Sequence, residues 1–155
     1  MTIRRLLEEL ETGIQWIAPV SPMEVAITLL AQEGTSALLV SSDKRSMAGI
    51  LTSSDIVRYL EAHHKLPGHL QVRNVMTHPV ISCDVREPVQ RLEWLMSKHH
   101  MRHIPVTEDG VPVALISILD VTRYRLLTAE QEASELREYV AGAPWRVRPH
   151  RHRQS

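Results

Sequence analysis

The chain has 155 residues, 43% of them hydrophobic and 23% charged, and its formal net charge is zero. That length suits one domain, or two half-size units sharing an interior, and is enough to bury a substantial apolar core. The neutral balance excludes the broadly basic footprint of a nucleic-acid binder, and the longest apolar runs, such as Val25–Ala31 around Thr28, are too short to span a bilayer.

Phenylalanine is absent, so Leu, Ile, Val, Met and Ala must fill the core. The charge is unevenly placed: residues 146–155 carry Arg146, Arg148, Arg151 and Arg153 with no acid, which leaves the rest of the chain slightly acidic. The single cysteine, Cys83, allows no intrachain disulfide and fits a reducing compartment. The first residues, with Arg4 and Arg5 followed by Glu8, Glu9 and Glu11, lack the apolar stretch of a secretion signal. A cytoplasmic location is expected, without membrane insertion.

In chain order, an extended piece is expected at Ile14–Ile17. A helix follows, opened by Ser21 as N-cap, Pro22 in the first helical position and Glu24 in the third. Its apolar positions Val25, Leu29 and Leu30 recur at helical spacing. Next come a strand at Ala37–Val40, a polar turn at Ser41–Ser46, a strand at Ala48–Thr52 and another helix. Residues 63–71, with His63, His64, Pro67 and Gly68, read as a connector. The same order then recurs: an extended piece at Val80–Cys83, a helix carrying Leu92, Leu95 and Met96, strands at His103–Val106 and Val113–Ser117, and a helix. Glu108-Asp109-Gly110 between those strands is a hairpin signal. Thr128–Val140 reads as a separate helix, with Thr128 and Gln131 as capping box and Gly142 and Pro144 ending it. Residues 144–155 form a basic tail expected to be disordered.

The two passes align residue by residue. Ser21-Pro22-Met23-Glu24-Val25 stands 66 positions before Glu87-Pro88-Val89-Gln90-Arg91, as Leu38-Leu39-Val40 does before Ile104-Pro105-Val106. Gly49–Asp55 then stands 65 before Ala114–Asp120. A repeat of this size is one supersecondary unit that cannot bury its apolar face alone. The expected fold is α+β: two βαββα units, within residues 1–62 and 72–127, packed sheet to sheet with pseudo-two-fold symmetry, followed by a C-terminal helix at 128–143.

The informative residues sit where the second strand of each unit meets its helix. Thr52-x-x-Asp55 and Ser117-x-x-Asp120 both read as capping boxes. Repeated at equivalent positions, they also suit a nucleoside phosphate: the helix start offers N–H groups and a positive dipole end to phosphate, while the carboxylate accepts from ribose hydroxyls. Arg102 and His103, before the short strand of the second unit, either reach phosphate oxygens or are solvent-facing residues at a helix end.

With its duplicated Gly49–Asp55 and Ala114–Asp120, its Arg102–Val106 and its Asn74-Val75-Met76-Thr77, the chain resembles a tandem pair of cystathionine-β-synthase (CBS) domains over roughly residues 5–127. The resemblance implies two clefts between the units that bind adenosine-containing ligands: AMP, ADP or ATP, with S-adenosylmethionine or NAD as alternatives. It implies ribose and phosphate contacts from Thr52, Asp55, Ser117 and Asp120. It implies that the adenine lies between short strands, here around Gln15, Trp16, Ala37, Leu38, Pro79, Val80 and Ile104. It also implies a homodimer of pairs and a regulatory role toward another protein, which the sequence does not identify. Ala114 departs from the usual Gly, adding a methyl expected near a cleft. Ser36-Ala37 gives the first unit no basic residue where the second has Arg102-His103. The two clefts are therefore expected to be unequal.

Nine histidines invite a metal, but His99, His100 and His103, like His63, His64 and His69, lack the spacing of zinc sites. Cys83 is expected inert within an apolar strand, and no phosphate loop or nucleophile elbow occurs. Trp16, Trp94 and Trp145 are expected in buried or interface packing. The reading is a regulatory nucleotide-binding module rather than an enzyme, with no cofactor required. The alternative is a ligand-free oligomerisation or protein-docking module.

Overall fold

The computed structural model describes residues 1–32 and 34–142. The chain opens with a helix, α1 (Ile3–Glu9), and then twice repeats one order of elements. The first unit is β1 (Trp16–Ile17), α2 (Met23–Leu30), β2 (Ala37–Val40), β3 (Gly49–Thr52) and α3 (Ser53–His63). After a 3₁₀ turn at Val72–Asn74, the second is β4 (Cys83–Asp84), α4 (Val89–His99), β5 (His103–Glu108), β6 (Val111–Ser117) and α5 (Ile118–Gly142). Each unit has a three-stranded sheet in sequential order, its first pair parallel and its second antiparallel. The register repeats as well: Ala37 faces Thr52 in one sheet and His103 faces Ser117 in the other. The expected α+β fold of two βαββα units is the observed one.

Local chemistry explains most boundaries. Asp109 and Gly110, both at positive φ, form the two-residue link from β5 to β6, the geometry whose twist matches the flanking strands. α3 and α4 end on left-handed His64 and His100. α2 starts one residue later than its sequence suggests. Pro22 is extended and serves as N-cap, and the carbonyl of Ser21 accepts the Val72 N–H at 2.9 Å instead of the Ser21 hydroxyl capping the helix. Met23 and Ala26 are therefore the buried residues of α2, with Leu29 and Leu30 packed beside them, while Val25 faces solvent.

Two further expectations are corrected. Residues 128–142 are not a separate helix but the second half of a continuous 25-residue α5, about 37 Å long. The Thr128 hydroxyl donates back to the Tyr124 carbonyl at 2.9 Å, a bond available to a threonine inside a helix, rather than capping a new one. Trp94 is not buried: it stands 48% exposed on α4, with Arg91 and Lys98 over its ring at 4.8 and 4.4 Å. Trp16 is half-buried. Trp145 and the basic tail lie outside the described residues.

There are two apolar cores, one per unit. The first gathers Ile17, Met23, Ala26, Leu38, Val40, Leu51, Leu70 and Val72. The second gathers residues of β4 to α5, and among them Ile3 and Leu6. The opening helix thus packs not with the strands that follow it but with the other unit. The Ile3 N–H donates to Glu87, the Arg4 N–H to Val85, and the Arg4 side chain to Glu108 at 2.6 Å. Cys83 is buried in this second core, and burial pushes its thiol up to about 11. Ala114 also points into this core and not into a cleft. At the equivalent Gly49 a methyl would collide with Met76 and with the Thr77 carbonyl, because residue 77 pairs with Ile50 there.

Leu6 is fully buried although only a short helix carries it. Leu6→Ala is expected to cost about 2–5 kcal/mol by cavity formation, read by urea denaturation. A loss below about 1 kcal/mol would show that α1 is not part of the second core.

Candidate functional site

The two capping corners have the same local geometry and different surroundings. In each, the backbone N–H of the hydroxyl residue donates to the acid three residues on: Thr52 to Asp55 Oδ2 at 2.8 Å, and Ser117 to Asp120 Oδ2 at 2.8 Å. The Thr52 and Ser117 hydroxyls reach the same oxygens at 3.2 and 2.9 Å. One carboxylate oxygen is thus held by its own helix start in both units.

The other oxygen separates them. Asp55 Oδ1 accepts from Thr77 Oγ1 at 2.6 Å and from the Arg58 guanidinium at 2.6 Å. Asp55 is only 6% exposed, and this corner is filled by the protein's own side chains. Among the described residues Asp120 Oδ1 has no such partner, and Asp120 borders an open cleft of about 360 Å³.

That cleft lies between the units. One wall comes from the second: His103 at the start of β5, Leu115 and Ser117 of β6, and Leu119, Asp120 and Arg123 of α5. The other comes from residues 11–13 and Gln15, which lead into β1, and from residues 34–37, which lead into β2. Ser36 Oγ and His103 Nε2 meet across it at 2.7 Å. Burial lowers the His103 pKa below its ordinary 6.5, against the opposing charge of Asp120, while the nearby Arg102 lowers it further.

The site residues expected from the sequence divide accordingly. Gln15, Ala37, His103, Ser117 and Asp120 converge on the open cleft. Thr52 and Asp55 form the filled corner. Leu38 and Ile104 are fully buried in the two cores, so their side chains cannot wall a cleft. Trp16 pairs in β1 with Leu39, while Pro79 and Val80 stand in the segment before β4, and none of the three lines the open cleft. Arg102 is exposed and contributes its backbone, its carbonyl accepting the Ile118 N–H at 2.8 Å at the head of α5. The sequence reading missed Glu11 and Arg123. Arg58 and Arg123 each stand three residues after the acid of their corner, a signal that the repeat alignment contained. Among the described residues no group of three or more His, Cys, Asp or Glu is gathered to hold a metal ion, and no helix is long and apolar enough to cross a membrane.

Comparison with known proteins places this architecture. The profile of the CBS domain matches residues 7–62 and 72–127. The chain belongs to the CBS domain family and carries two of its domains in tandem. It is 28% identical over 121 residues to the mitochondrial CBS domain-containing protein CBSX3 of Arabidopsis thaliana, a match covering 76% of this chain and 59% of that protein. The chain thus spans less than two thirds of that relative's length. The crystal structure of the CBS domain protein NE2398 superposes with a TM-score of 0.75 at 30% identity, over 81% of this chain and 98% of that one. CBSX2, solved in complex with AMP, shares the fold at 17% identity, with a TM-score of 0.68 over 83% of this chain and 98% of that one.

The difference between the corners is measurable. Asp55→Ala removes the buried acceptor of four donors, the Thr52 N–H and hydroxyl, the Thr77 hydroxyl and the Arg58 guanidinium, and is expected to cost about 2 kcal/mol or more. Asp120→Ala removes a cap alone and is expected to cost about 1 kcal/mol. Equal losses in urea denaturation would contradict the contrast. The lowered His103 pKa also has a sign. As pH falls below 6.5, the unfolded chain takes a proton that the folded chain refuses, so the stability His103 contributes is present above 6.5 and lost below it. The fall in melting temperature on acidification is expected to be smaller in His103→Gln.

Proposed function

We propose that the protein is an adenine-nucleotide-binding regulatory module, not an enzyme, with one ligand site per chain in the cleft bordered by Ser117 and Asp120. The observation that carries this is the contrast between two chemically equivalent carboxylates. Asp55 has both oxygens occupied from within, whereas Asp120 keeps one oxygen facing a cleft walled by both units. In this reading a ribose diol donates to that oxygen, the base lies against Ala37, Leu115 and Leu119, and the head of α5 lends its dipole to phosphate. CBSX2, a neighbour of the same fold, holds AMP. S-adenosylmethionine and NAD remain in the ligand class, since the diol is common to all. No cofactor is required.

Because the walls belong to different units, a bound ligand favours one mutual orientation, by no more than its differential affinity for the alternatives. A partner protein reads that orientation, in a homodimer of pairs in the cytoplasm. A second reading, an oligomerisation or docking module without ligand, is favoured by the exposed Leu119, Leu126, Leu127, Leu136 and Tyr139 along α5.

Calorimetry and thermal shift with AMP, ADP, ATP, S-adenosylmethionine and NAD separate the two. The ligand reading expects one site per chain and a stabilisation of about 2.7 kcal/mol at a hundredfold excess over Kd, both abolished by Asp120→Ala. No heat and no shift from any of the five at millimolar concentration would leave only the docking reading.

A further inference from the structure

α5 outlasts the domain it belongs to. The second CBS match ends at residue 127, whereas the helix runs on to Gly142. Val121 and Tyr124 hold its first turns in the second core, but every residue from 129 to 142 is exposed. Helices in proteins owe most of their stability to the packing of an apolar face, and this stretch has such a face with nothing among the described residues to cover it. Leu126, Ala129, Ala133, Leu136 and Val140 follow one another at steps of three and four, the a and d spacing of a two-stranded coiled coil. Leu126 and Leu136 are 60% and 63% exposed, and the two alanines between them leave room for a second helix to approach.

The charges beside this seam select its occupant. With Leu126 at a, the e positions are Glu130 and Arg137 and the g positions Arg125 and Glu132. In a parallel pair of identical helices each g residue faces the e residue five positions on in the other chain, so Arg125 meets the partner's Glu130 and Glu132 meets the partner's Arg137. An antiparallel pair that sets Leu126 on the partner's Leu136 instead brings Glu130 against the partner's Glu130 and Glu132 against the partner's Glu132, like charge on like. Arg125 already holds Glu93 at 2.6 Å, whereas Glu130, Glu132 and Arg137 make no ion pair among the described residues. We propose that the C-terminal half of α5 joins two copies of this chain as a parallel, in-register two-stranded coiled coil over residues 126–140, about 22 Å long. The proposal stands apart from the ligand reading. To the homodimer of that reading it adds the element, the direction and the register of one contact, in a stretch beyond the CBS match.

The test is disulfide cross-linking of the full chain, whose own Cys83 is buried. Leu136→Cys places a thiol on the seam, and Glu138→Cys places one on the outer side of the same turn. Under mild oxidation Leu136→Cys is expected to form a covalent dimer at least about tenfold faster than Glu138→Cys, since a disulfide needs Cβ atoms about 4 Å apart. Adding Glu132→Arg to Leu136→Cys is expected to slow the link by about threefold or more, and adding Arg137→Glu as well to restore it. If the two thiols link at equal rates, if Leu136→Cys does not link, or if the charge reversals leave its rate unchanged, the proposal falls. Linking between mixed Leu126→Cys and Leu136→Cys chains, with neither linking alone, would show an antiparallel contact and overturn it too. These outcomes leave the ligand reading untouched, since calorimetry with the nucleotides decides that separately. All the substituted positions are exposed, so circular dichroism of each variant is expected to match the wild type.

Discussion

A helix-capping carboxylate has two oxygens, and capping needs only one. At both strand-to-helix corners the first oxygen closes the helix start on its own backbone and hydroxyl. The second is what the surroundings dispose of. At Asp55 it ties α3 to Thr77, across the chain from the first sheet to the segment entering the second. Together with the pairing of Ile50 and Thr77, and with Gly49 leaving room for that pairing, it makes the first corner a joint between the units. At Asp120 nothing among the described residues plays the part of Thr77, and space remains. The asymmetry follows from one hydroxyl and one arginine rotamer, not from any difference in the capping motif.

The duplication made much of this legible beforehand. Because side chains alternate along a strand and recur along a helix, aligning Leu38–Val40 with Ile104–Val106 identifies the same strand in both units, while the register within each sheet comes from the structure. Asp109-Gly110 announced its turn because few other residues tolerate consecutive positive φ. Ser117 and Asp120 stand out because the corner motif occurs twice, and His103 because the other unit has no basic residue there, whereas Gln15 and Ala37 come only from the family resemblance.

What escaped the sequence was long-range. Nothing local in Ile3 or Leu6 says that α1 enters the second core, since an amphipathic turn carries no address for its partner. The resemblance puts Leu38 and Ile104 at cleft walls, but both stand in runs of four buried strand residues, and their side chains join the two cores. Thr128 and Gln131 mimic a helix start, yet no proline or glycine interrupts residues 118–141, so the helix runs on. Arg123 was overlooked for a different reason. An arginine in the second turn of a helix is ordinary surface, and only its open setting beside the twin Arg58–Asp55 pair distinguishes it.

The path of the first fifteen residues has a mechanical meaning. α1 is anchored in one unit, β1 belongs to the other, and the few residues joining them form part of the cleft wall. That stretch is a tether of fixed length stretched over an opening. Any movement that widens or narrows the opening must be taken up by the tether or transmitted to its anchor. If the proposed ligand occupies the opening, reciprocity requires that whatever grips or releases the anchoring helix alter the ligand's affinity by the same factor that occupancy alters the helix's hold.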